Sequence, residues 1–78
     1  MTPREETQLR ALVAIAWKHR GSPALREHVE AILDWNVMRV LARGELDELR
    51  TDALLELERE LRRRQLVWLL RESYQVAA

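Results

Sequence analysis

The chain has 78 residues, 13 of them basic and 13 acidic, with two histidines and no cysteine. One domain fits that length, and the missing cysteine excludes a disulfide framework, a thiolate nucleophile and a zinc-finger site. A formal net charge of zero supplies no long-range attraction to nucleic acid or an anionic membrane.

Leucine, arginine, glutamate and alanine contribute 14, 12, 10 and 9 residues, and all four favour helix. Glycine and proline number two each, and Val, Ile and Thr are too scattered for strands. The expected class is all-α. The longest apolar run, Ala11 to Trp17, falls far short of the ~18 residues a bilayer span needs. The acidic opening lacks a basic stretch followed by an apolar core, so no secretory signal is read and a cytoplasmic location is expected.

Helix 1 is predicted over about residues 3–20. Thr2 with Glu5 makes a capping box, and Pro3 stands at the first helical position. Lys18, His19 and Arg20 suit the negative end of the dipole, and Gly21 suits a left-handed stop. Ser22-Pro23 then restarts the chain, and helix 2 is predicted over about 23–43 with Gly44 as its stop. So short a turn makes the two helices an antiparallel hairpin. Residues 45–50 read either as the opening of one long helix to about Ser73 or as a short helical turn, and a break near 50–52 is the favoured reading. Helix 3 is predicted over about 52–73, with Glu58–Arg62 and Glu60–Arg64 paired one turn apart. The expected architecture is a three-helix bundle: a helical hairpin plus a long C-terminal helix.

Projection at ~100° per residue gives each helix one buried stripe and a surplus. Leu9, Leu12, Val13 and Ala16 form the first stripe, and Leu25, Val29, Ile32, Leu33 and Val40 the second, with Asn36 near its middle. Leu54, Leu57, Leu61 and Trp68 belong to the third. On the far side of helix 3 lie Leu55, Leu66, Leu69 and Leu70, which Trp35, Met38 and Ile15 extend. An exposed patch of that kind marks an interaction surface. A domain this small also gains stability by association. The expectation is a partner-binding surface, first of all a homodimer through helix 3, in a regulatory adaptor or inhibitor that masks a larger protein.

Other chemistry is thinly supported. His28 beside Glu27 could titrate near neutrality, but no nucleophile stands at a matching spacing and no phosphate loop is present. No enzyme, cofactor or small-molecule substrate is expected. His19 and His28 are nine residues apart, which places them on no common helical face, so no metal is expected either. The alternative reading is a nucleic-acid-binding regulator that uses Arg59, Arg62 and Arg63, since arginine forks match phosphate. Glu56, Glu58 and Glu60 just upstream offer the same arginines partners within the helix.

Overall fold

The computed structural model describes residues 2–77, with side chains throughout except at positions 25 and 73–77. It is all-α, with no strand among the described residues, and it has five helices rather than three. They are α1 (Pro3–Lys18), α2 (Arg26–Ile32), α3 (Trp35–Ala42), α4 (Thr51–Arg63) and α5 (Trp68–Ala77). Single 3₁₀ turns at Pro23–Leu25 and Leu46–Glu48 lie in the connections.

The start of α1 follows its sequence signals. Thr2 is extended, and its Oγ1 accepts the Glu5 N–H at 3.2 Å, which satisfies one of the free donors of the first turn. The end differs from expectation. Helix α1 stops at Lys18 with His19 as its cap, and Gly21 does not take the left-handed conformation. A turn closed by the Ser22 N–H on the His19 carbonyl, 2.9 Å, does the work instead.

The helix expected over 23–43 is two helices. At Asp34 the backbone opens to φ −76°, ψ 174°, and the carboxylate accepts the Val37 N–H at 2.8 Å. That cap ends α2 and starts α3. The break turns the two halves independently, so Ala31 goes into the core while Asn36, expected within the stripe, is exposed.

The helix expected over 52–73 is also two. Its first half, α4, starts at Thr51, with Arg50 extended before it. It ends at Arg63 with Arg64 as its cap, and the next residue, Gln65, has φ +60°, the one left-handed non-glycine among the described residues. Two closing bonds seal that end: Gln65 N–H to the Arg62 carbonyl, 3.1 Å, and Leu66 N–H to the Leu61 carbonyl, 2.7 Å. An unbroken helix over 52–73 would be roughly 33 Å long, whereas the whole molecule measures 32 × 28 × 26 Å.

The fold-back decides the architecture. Helix α5 returns along α1, which also packs against α2 and α4. The core is Leu9, Leu12, Val13 and Ala16 of α1, met by Ile32, Leu33, Val37, Leu41, Leu49, Leu54, Leu57 and Leu61. Burying each leucine contributes about 1.5–3 kcal/mol. Leu66, Leu69 and Leu70 pack against this same core as half-buried residues. The outward leucine face expected of a straight helix 3 is folded inward, onto the molecule's own α1 side.

Candidate functional site

Among the described residues, four large apolar side chains stay outside: Trp35 is 72% exposed, Trp68 53%, Met38 41% and Val67 39%. Helix geometry and the breaks put them there. Trp35 is the first residue of α3, immediately after the Asp34 cap, and Met38 follows three residues on, on one helical face. Val67 and Trp68 lie where the chain re-enters helix after Gln65. The Trp68 ring stands edge-on against His28, centroids 5.7 Å apart and planes at 89°, the arrangement aromatic quadrupoles favour. His28 Nδ1 is buried and has no hydrogen-bond partner among the described residues.

The expected interface residues therefore separate. Trp35 and Met38 are exposed, whereas Leu55, Leu66, Leu69, Leu70 and Ile15 are half-buried. They form no single continuous outward stripe, because the break at Gln65 sets Leu69 and Leu70 on a different helix from Leu55.

A groove lies between α2–α3 and α4. It consists of three adjoining cavities of about 390, 310 and 350 Å³. The first two share Val37, Ala53 and Glu56, and the second and third share Glu30 and Arg64. Ile32, Val37, Val40, Ala53 and Leu57 supply apolar lining. His28 and Leu66 close one end, so Trp68 adjoins the groove through its contact with His28. At the other end lie Asn36 and Arg39.

Charge along the groove is uneven. Glu27, Glu30, Asp34, Glu48, Asp52, Glu56 and Glu60 line it against Arg39, Arg50 and Arg64. Arg50 is already paired with Asp52 at 3.2 Å, and Arg64 with Glu60 at 2.7 Å. Glu60 is the best-held carboxylate. Hydrogen bonds from Arg63 first and Arg64 second lower its pKa to about 2. Glu56, in the middle, is exposed and has no ion-pair partner among the described residues.

The arginine segment is occupied from within. Arg62 reaches Glu58 at 2.7 Å and Arg63 reaches Glu60 at 2.6 Å, while Arg59 is exposed. No group of three or more potential metal ligands occurs among the described residues. No described helix is long and apolar enough to cross a membrane.

One organising residue carries no sequence signal. Arg10 of α1 donates from Nη1 to the Leu46 carbonyl at 3.1 Å, and from Nη2 to the Leu49 carbonyl at 2.8 Å. Its Nη2 also meets Glu6 Oε1 at 2.8 Å. The guanidinium thereby satisfies carbonyls of the Leu46–Glu48 turn and holds the α3–α4 connection on α1. Leu49 and Arg50, which line the groove, are positioned by that staple. No family model matches the chain, and no curated protein and no solved structure matches it.

Proposed function

We propose that this chain is a protein-binding module, a small adaptor or inhibitor that acts by covering a site on a larger protein. The observation that carries the reading is the exposure of Trp35, Trp68, Met38 and Val67 by a fold that draws its leucines inward. Tryptophan and methionine are enriched in the centres of protein interfaces, and tryptophan is over-represented among the residues that dominate binding energy. A different protein is placed ahead of a second copy, because Leu66, Leu69 and Leu70 already lie on the chain's own core. Protein is placed ahead of nucleic acid because phosphate would have to displace Glu58 and Glu60 from Arg62 and Arg63.

The test is quantitative capture from the native cell by wild type and by Trp35→Ala with Met38→Ala. Both side chains are exposed, so the fold is expected to melt within about 0.5 kcal/mol of wild type. The expected result is one protein retained at fixed stoichiometry by wild type and lost with the double variant. Equal capture by both overturns the reading. So does retention of nucleic acid alone, released as salt is raised.

A further inference from the structure

We propose that the groove between α2–α3 and α4 receives a basic, amphipathic helix of the partner protein. This assignment rests on the protein-binding reading and specifies what it binds. Shape and charge both point to that occupant. From Ala53 to Arg63 the α4 wall rises through roughly 15 Å, close to three helical turns. An amphipathic helix laid along such a wall uses apolar anchors spaced three and four apart, and Val40, Ala53 and Leu57 offer apolar surface for them.

The rims choose the sign of the partner's polar face. Glu60 and Asp52 are satisfied by Arg64 and Arg50, and the Asp34 carboxylate caps the Val37 N–H. Glu30 is paired with Arg26. In the first two cavities Glu48 and Glu56 are left, exposed and without an ion pair among the described residues, Glu56 where those cavities meet. Against them stands Arg39, the one lining arginine outside an ion pair among those residues. A lysine or arginine laid there gains an opposite charge without breaking any bond the fold uses. An acidic segment would instead meet Glu56 flanked by further carboxylates, and like charges across an interface suppress wrong partners. Trp68, edge-on to His28 at the far end, extends the surface beyond the groove itself.

The probe is a labelled peptide of leucine and lysine, about 14 residues long and patterned as an amphipathic helix, with a leucine–glutamate peptide of the same pattern as control. Binding is read by fluorescence anisotropy against wild type and Glu56→Lys, whose retained helicity and melting temperature are checked first. The lysine peptide is expected to bind wild type, to weaken by about tenfold or more on Glu56→Lys, and the glutamate peptide to stay free. The assignment is overturned if the lysine peptide fails to bind, if both peptides bind alike, or if Glu56→Lys changes nothing. It is equally overturned if wild type sediments as a dimer and Glu56→Lys as a monomer, because a second copy is then the occupant. Should the peptide fail while Trp35→Ala with Met38→Ala still abolishes capture, only the groove assignment falls. Peptide failure together with unchanged capture sinks both.

Discussion

Gly44 and Gln65 do the same job at two helix ends. At each, a residue in the left-handed conformation, φ +74° and +60°, follows the helix cap. At each, two N–H groups return to carbonyls of the last turn: Gly44 to Leu41 and Glu45 to Val40, then Gln65 to Arg62 and Leu66 to Leu61. The difference lies in what holds the conformation. Glycine adopts it at little steric cost, but an L-residue with a side chain loses about 1–2 kcal/mol there. Something outside the turn must supply that energy. Leu66, the residue after Gln65, packs against the core next to the fully buried Leu61, and α5 beyond it lies along α1. One end is set by its local residue, the other by what the fold-back buries.

The largest effect should come from removing that burial. Leu61→Ala deletes a side chain of zero exposure beneath the Gln65 turn, with an expected loss of about 2–5 kcal/mol in urea unfolding. A loss under about 1 kcal/mol would show that the turn stands without its core contact. The next test exchanges the two turn residues. A Cβ added at Gly44 would meet nothing within 4 Å, so Gly44→Ala carries only the backbone penalty, an expected loss of about 1–2 kcal/mol. Gln65→Gly relieves the same penalty, less the extra chain entropy of glycine, for an expected gain of about 0.5–1 kcal/mol. Opposite signs in the two melts support the comparison. A destabilised Gln65→Gly would mean that the glutamine side chain itself holds the turn.

The same contrast explains what could be read from residues alone. Thr2 and Gly44 are strong because each is favoured for its position by its own chemistry. Asp34 is a good cap too, yet helical periodicity runs through it on both sides, so its carboxylate is visible as a cap only once the Val37 N–H is seen against it. Gln65 offers no signal at all, since glutamine is a good helix former and its conformation is imposed by contacts distant in sequence. Missing those two breaks turns Asn36 inward and leaves Leu66, Leu69 and Leu70 outside, the reverse of their placement. Trp35 and Met38 stay exposed under either description because α3 starts next to them. Arg10 was illegible for a related reason. Its acceptors are main-chain carbonyls 36 and 39 positions away, which no periodicity encodes. The groove depends on the same breaks, and Glu56 gains meaning only beside Val37 and Ala53.

The smallest expected effect is electrostatic, and the two ends should respond to acid with opposite sign. Near Gly44, the Glu48 carboxyl is held above its ordinary range, first by a hydrogen bond shared with Glu45 and then by that neighbour's charge, with Arg43 opposing. A raised carboxyl costs stability while ionised, so acidification from neutral pH through its folded value relieves that cost. Near Gln65, Glu60 titrates at about 2 against an ordinary 4.5, because Arg63 and then Arg64 hydrogen-bond its ionised form. That contribution is fully present above 4.5 and is lost as the pH falls through about 2. Glu48 is exposed and Glu60 only half-buried, and salt screens both, so the effect belongs in local amide-exchange rates rather than in the global melt. The Glu45 amide should become better protected as the pH falls from neutral toward 4.5, once intrinsic exchange is divided out. Protection at Gln65 and Leu66 should decline only between 4.5 and 2, and Glu60→Gln should remove that decline. Parallel behaviour at both ends, or a decline that persists in Glu60→Gln, would show that the arginine pair around Glu60 does not hold the second turn.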